Sequence, residues 1–270
     1  ALFLLVRRVE TDSNLKIFIL DAAHQELTAN LKSANNLTDS FFYRHLQTGS
    51  YSIIAGNYSF GLNVDDIAAL MRLGKLAYDF NAAFISHLRP EIFGVNTFLN
   101  IRDVSNLEVS ENSMEFKLWQ ALRTIPESSH IGLCPMRVLG RMPYGDLTDS
   151  IETFSFEEFN SDINFEEFLW LNPCFIIVSL LAQSYKIAGS QMGKNLLYDI
   201  ENLPLYIYRE DGATKTLPCA EIVLTENLLE KMLAHGFVTL ISFRDSNRLR
   251  IARYQSVSST PTQLTDSWNL

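Results

Sequence analysis

Carboxylates are the residues of this sequence whose number and spacing come nearest to a chemical signal. Asp146, Asp149 and Glu152, then Glu157, Glu158, Asp162, Glu166 and Glu167, crowd one stretch; paired carboxylates can hold a divalent cation or divide the acid and base roles of a hydrolase. Nothing in the spacing fixes a geometry, and an acidic face turned to solvent or to a neighbouring subunit accounts for it more simply. The five histidines, His24, His45, His87, His130 and His235, never fall as a pair on one helical face or beside a cysteine pair, so no metal site is signalled. There is no Gly-x-Ser-x-Gly elbow. His130 stands close to Cys134, but a shared apolar strand explains the pair better than a nucleophile and its base. Gly189 to Asn195 is the nearest match to a phosphate loop; it has one residue too few between its glycines and Asn195 where a hydroxyl should meet the metal, so it reads as a flexible connector.

Arg244, Arg248, Arg250 and Arg253 form the best basic run, interrupted by Asp245 and interleaved with Phe243, Leu249, Ile251 and Tyr254. That pattern is a strand with solvated alternate positions. With 31 acidic against 22 basic residues and a net charge of −9, the chain repels a phosphate backbone, and nucleic acid is not an expected partner. Cys134, Cys174 and Cys219 are odd in number and each sits in apolar sequence, which fits buried thiols in the cytoplasm better than a disulfide framework. The sequons at Asn36 and Asn57 have no meaning without secretion, and no signal peptide precedes them. No cofactor is called for.

The elements that must position these residues follow from pattern. Apolar residues make up 47% of 270 positions, enough for a self-sustaining core in one large domain or two. Leu2 to Val9 and Leu15 to Asp21 read as strands joined by the turn-prone Thr11 to Asn14, a hairpin. Helices are expected at His24 to Lys32 and Asp39 to Gln47. Ser52 to Phe60 is a strand with Gly56 as a bulge or close approach. Asp65 to Asn81 repeats Ile67, Leu70, Met71, Leu73 and Leu76 near helical spacing, with its acidic residues at the favourable end of the dipole. Met114 to Ile125 is a helix stopped by Pro126, His130 to Pro135 a short strand, and Met136 to Gly145 an ordered loop across other elements. Phe168 to Tyr185 is uncharged, which raises the question of a membrane span. Asn172, Pro173, Ser179, Gln183 and Ser184 interrupt the run; with Pro173 in a first turn it reads as a helix at the centre of the core, to about Ala188. Burying each of its large apolar side chains contributes about 1.5 to 3 kcal/mol. Further on, Leu203 to Tyr208 reads as a strand, Asp211-Gly212 as a turn, and Thr225 to His235 as a helix capped by Thr225 and ended by Gly236. Phe237 to Phe243 and Leu249 to Tyr254 read as strands, and Ser256 to Leu270 as a polar surface loop.

The irregular interleaving of strands and helices predicts a mixed α/β (α+β) fold, a mixed sheet with flanking helices. The chain opens at Ala1 inside strand-like sequence and reads as part of a longer protein. One domain over 1–270 is expected, with any subdivision near 190–202.

Several motifs in order carry a resemblance. Ile131-Gly132-Leu133-Cys134-Pro135 and Arg141-Met142-Pro143-Tyr144-Gly145 follow a helix bearing Trp119 and Arg123; then come Phe154-Ser155-Phe156-Glu157-Glu158 and Leu169-Trp170-Leu171-Asn172-Pro173. Ala55 to Phe60, Asn81 to Phe84, Leu217 to Glu221 and Gly236-Phe237 bracket them. Over nearly its whole length the chain resembles the large subunit family of the type VI secretion contractile sheath, the TssC or VipB type. Asn57, Ala83, Leu171 and Met136 depart from the family pattern and suggest a divergent member near the IglB-like branch. The resemblance implies a sheath-type fold and a structural, non-enzymatic subunit of this secretion system. Such a subunit pairs with a small sheath subunit, stacks with copies of itself around an inner tube, and contracts; a recycling ATPase is a further implied partner. It also implies that strands near the chain ends link protomers and that those linking segments lie largely outside this chain. Trp119, Arg141, Pro143, Tyr144, Gly145, Trp170 and Asn172 are expected to form the structural motif, with Arg141, Tyr144 and Trp170 anchoring the loop against the buried helix. Asp146, Asp149, Glu157 and Glu158 are the expected subunit contacts. The runner-up is an α/β hydrolase-like enzyme using acidic residues and a histidine.

Overall fold

Three parallel strands organise the chain, each placed by the helix before or after it. The structure, a computed structural model, describes residues 5–6, 9, 15–34, 36–99, 112–146, 148–159, 164–210 and 212–267. Helix α1 (His24–Ser33) buries Leu27 and Leu31, and the Ala23 amide donates to Glu26 at its start. After α2 (Phe41–Leu46), strand β1 (Ile53–Phe60) leads through Asn63, whose side chain accepts from the Asp66 amide, into α3 (Val64–Asp79). The expected helical repeat appears here as a buried face of Ile67, Leu70, Leu73 and Leu76. Strand β2 (Ala83–Leu88), helix α4 (Met114–Thr124) and strand β3 (Ile131–Cys134) complete a sheet ordered β1-β2-β3, all parallel, with Ile53 opposite Ala83 and Phe84 opposite Ile131. Gly56 is both bulge and close approach: the β1 register shifts between Ala55 and Ser59, and a Cβ at Gly56 would meet the Phe84 ring at 2.8 Å.

The second half adds smaller antiparallel sheets. Strand β4 (Val138–Leu139) pairs with β5 (Trp170–Leu171), which runs directly into α5 (Cys174–Ala188). Strand β6 (Asp199–Ile200) later borders a sheet of order β6-β10-β9; β7 (Tyr206–Glu210) and β8 (Ala213–Leu217) form a hairpin, and α6 (Glu226–Ala234) leads to β9 (Leu240–Ser242) and β10 (Leu249–Ile251). The fold is therefore mixed α/β, with parallel and antiparallel pairing in separate small sheets. One large hydrophobic cluster gathers Phe60, Phe84, Trp119, Leu180, Phe237 and Tyr254, and so takes in residues from both sides of 190–202. A second cluster joins Leu139 and Phe168 to Tyr206 and Leu217 of the hairpin. As expected, α5 is central, with Cys174, Ile177, Leu180 and Leu181 buried. Among the described residues no helix is long and apolar enough to cross a membrane.

Several expectations are corrected. The N-terminal hairpin is not formed: Leu5, Val6 and Val9 are helical and no strand forms over 15–23, while Leu2 to Leu4 and the turn Thr11 to Asn14 lie outside the described residues. Leu5 and Val9, one helical turn apart, pack on Ala182, which a strand with the same apolar content would not do. The strand expected from Leu203 starts only at Tyr206, because Pro204 offers no donor and Asn202 takes a positive φ of 60°. Strand β8 carries little apolar signal and is held by β7. Residues Gly189–Lys194 form a 3₁₀ helix, not a flexible connector, with Met192 buried. The C-terminal end is not a plain surface loop either. Ser256, Val257 and Leu264 are buried, the Ser256 amide donates to Thr262 O, and a Cβ on Gly132 would meet Leu264 at 2.6 Å.

Candidate functional site

The loop from β4 to the acidic segment is closed by one bidentate ion pair. Arg141 Nη1 and Nη2 reach Glu158 Oε2 and Oε1 at 2.7 and 2.8 Å, and the Tyr144 amide donates to the same carboxylate at 2.9 Å. The guanidinium lies 4.1 Å from the Tyr144 ring centroid, and the Glu158 amide donates back to Tyr144 O. One turn further, Asp146 N donates to Glu157 Oε1 at 2.9 Å, Thr148 Oγ1 donates to Pro143 O, and a Cβ on Gly145 would lie 2.4 Å from Glu157. Pro143 and Gly145 are thus buried in a tight turn against the acidic segment, while Asp146, Asp149 and Glu157 are exposed. Asp162 lies outside the described residues. The hydrogen bonds from Arg141 hold the Glu158 carboxyl below the usual range, and Glu158 in turn raises Arg141.

A depressed carboxyl stabilises the fold above its unfolded value and loses that contribution as pH falls through the folded one. Glu158→Gln is expected to cost about 1 to 2 kcal/mol at neutral pH. Urea denaturation at pH 7 and near pH 3 checks this: the gap between parent and variant should close at the lower pH, well below the free-glutamate value of about 4.3.

Trp170 and Asn172 do different work. Trp170 Nε1 donates to Phe165 O at 2.8 Å, its backbone pairs with Leu139, and its ring lies 5.8 Å from the Arg137 guanidinium. The contacts of Arg141, Tyr144 and Trp170 therefore run to the acidic segment and the second cluster; the structure does not seat them on the buried helix α5. Asn172 takes the junction between β5 and α5. Its Nδ2 donates to Tyr58 O at 2.7 Å and its Oδ1 accepts from Cys174 N at 3.0 Å, fastening the start of α5 to β1. Trp119 is fully buried, 5.5 Å from Phe237.

Two further arginines complete the frame. Arg137 meets Glu221 through its amide, Nε and Nη2 at 2.8, 2.9 and 2.6 Å, and Glu221 is buried at a positive φ of 57°. Burial pushes the Glu221 carboxyl up, and Arg137 pulls against it. On α4, Arg123 Nε donates to Val257 O and its Nη2 to Ala234 O, both at 2.9 Å, tying that helix to α6 and to the C-terminal end. The one hint available in sequence is composition: Glu221 lies in an otherwise apolar stretch, where a charge must find a partner.

Catalytic chemistry finds little support in this arrangement. Ser59 Oγ is 2.9 Å from His87 Nδ1, but burial and then Arg137 and Arg89 depress His87 to about 3, too weak a base for a serine at neutral pH. His130 Nδ1 is bound to Ala82 O at 2.7 Å, and burial raises the neighbouring Cys134 thiol to about 12. Two surface depressions, of about 320 and 410 Å³, are lined by Asn63, Glu91 and Phe116 and by Met71, Lys75 and Glu127 among others, without a histidine. No group of three or more His, Cys, Asp or Glu able to hold a metal occurs among the described residues.

The VipB family model, described as EvpB/VC_A0108, tail sheath N-terminal domain, matches residues 1–258. The chain belongs to this tail-sheath family. It is also 27% identical over 257 residues to the type VI secretion system sheath protein TssC1 of Pseudomonas aeruginosa, an alignment covering 90% of this chain and 52% of that protein. The chain therefore spans about half the length of that relative. The matched span, residues 1–258, contains the Arg141–Glu158 clasp, Trp119 and the Asn172 junction.

Proposed function

We propose that this chain is part of a structural subunit of a type VI secretion contractile sheath, assembled in the bacterial cytoplasm and without catalytic activity of its own. It pairs with a small sheath subunit and with copies of itself around an inner tube, and a recycling ATPase acts on the assembly. Membership of the tail-sheath family supports this reading. The structural observation that carries it is the segment Leu15 to Asp21. Its composition is that of a strand, yet no strand forms there, and Phe18, Ile19 and Leu20 are 66%, 64% and 36% exposed. Three consecutive exposed large apolar residues outside any helix or strand are what an incoming strand from a neighbour would cover.

In this reading Trp119, Arg141, Pro143, Tyr144, Gly145, Trp170 and Asn172 hold the scaffold rigid, while Asp146, Asp149 and Glu157 face a neighbouring subunit. Glu158 belongs to the scaffold, since Arg141 occupies it.

Co-expression with the small sheath subunit followed by negative-stain imaging tests the proposal. The parent chain should enter tubular assemblies. Phe18→Ser with Ile19→Ser should leave the melting temperature of the chain unchanged and abolish the tubes. Normal tubes from that variant would remove the segment from the assembly, and turnover of a small molecule by a solitary parent chain would remove the sheath reading.

A further inference from the structure

Phe154 and Phe156 stand in solvent on the acidic segment, 59% and 41% exposed, with ring centroids 6.0 Å apart. Phe159, a few residues on, turns inward and stacks on Phe168 at 5.1 Å. A cluster that takes one phenylalanine of this loop thus leaves two outside, and such pairs mark contact surfaces. Asp146, Asp149 and Glu152 precede them on the same segment, exposed and outside any salt bridge among the described residues.

A surface of the opposite character lies on the sheet β6-β10-β9. Leu249 and Ile251 face the core, so Arg250 between them points outward and is exposed, and half-buried Arg248 precedes the strand. Arg248 lies 4.5 Å from the Phe243 ring centroid, and its Nε is buried without a hydrogen-bond partner among the described residues. Arg250 stands opposite Ile241 and Asp199 in the ladder, 3.8 Å from the Asp199 carboxylate, and Arg244 is exposed in the turn. Arg244, Arg248 and Arg250 outnumber Asp199 and Asp245 here and, beside half-buried Phe243 and Ile241, make a basic, apolar face on a chain of net charge −9.

We propose that the Phe154/Phe156 loop of one copy docks on the Arg244/Arg248/Arg250 face of the next. The apolar rings meet Phe243 and Ile241, and the carboxylates of the loop meet the guanidinium groups. Loop and face are different surfaces, so the contact is heterologous and repeats head to tail. The proposal rests on the sheath reading above.

Salt gives the sign. Copies with a net charge of −9 repel as wholes, which screening relieves, whereas a local contact of opposite charges is weakened by screening. In sedimentation velocity, self-association of the purified chain should fall about tenfold between about 0.05 and 0.3 M NaCl. Asp149→Arg with Glu152→Arg should weaken it about tenfold, as should Arg244→Glu with Arg250→Glu, and the chain carrying all four changes should recover most of the loss. Phe154→Ser with Phe156→Ser should weaken association and keep its salt slope. Association that strengthens with salt, that is absent in the parent, that ignores either two-site reversal, or that stays lost in the four-site chain would overturn the proposal. Co-purification with the small sheath subunit reads the sheath assignment separately. If pairing persists while the charge swap fails, only this contact is lost; if the parent chain never pairs, the sheath reading is lost.

Discussion

Arg137→Met is expected to destabilise the fold by about 3 to 5 kcal/mol at neutral pH, because it strands a buried carboxylate. Glu221 is 4% exposed and takes two of its three hydrogen bonds from the Arg137 side chain. Methionine keeps most of the packed stem but supplies neither charge nor donor. Only the amide of residue 137 would still reach the carboxylate, which must then lose its charge or drag in water. Chemical denaturation of parent and variant measures the difference.

Two further measurements separate this cause from lost packing. Burial already pushes the Glu221 carboxyl up against the pull of Arg137, so removing Arg137 raises it further. A group raised on folding stabilises fully below its unfolded value and loses that contribution as pH rises through the folded one. The deficit of Arg137→Met should therefore shrink between pH 7 and about 5, because acid relieves the variant, whereas at the Glu158 clasp the gap closes because acid weakens the parent. Adding Glu221→Gln should recover part of the loss, since a neutral amide is cheaper to bury than an unpaired carboxylate. An equal cost of Arg137→Met in both backgrounds would mean that the stem, and not the charge, matters.

The same pair marks where sequence stops being informative. Helix α3 is legible because Asp65 and Asp66 stand at its start and its apolar residues repeat at its own period, and α6 because Thr225 and Gly236 bound it. These signals lie within a few residues of what they specify. Arg137 and Glu221 are 84 positions apart, and Arg141 and Glu158 are 17 apart. Glu158 sits among carboxylates of identical local character, and only the turn at Pro143 to Gly145 selects it for Arg141. The N-terminal strands are misread for a related reason. A short apolar run fits a strand or a buried helix equally, and what decides is whether α5 or a neighbouring strand receives it. Leu5 and Val9 have α5, whereas Phe18 to Leu20 have no strand to join within the described residues.

Trp119→Ala is expected to cost about 3 to 5 kcal/mol, and Trp119→Phe less than about 1.5. Trp119 is wholly buried on the inner face of α4, its ring 5.5 Å from Phe237, which itself lies 6.0 Å from Phe93. Alanine would leave a cavity bounded by parallel-sheet and C-terminal elements alike. The neighbouring Arg123 already fixes α4 to Val257 and Ala234, so the helix cannot slide to fill the space. Phenylalanine loses area but no hydrogen bond, since the indole Nε1 has no partner among the described residues; removing that buried donor offsets part of the lost packing. Thermal melts of the two variants give the ratio, and a phenylalanine variant as unstable as the alanine one would show that the indole nitrogen is bonded after all. If the chain serves in a sheath as proposed, the alanine variant should also fail to assemble at temperatures where the phenylalanine variant still does, because assembly needs a subunit that keeps its packed core.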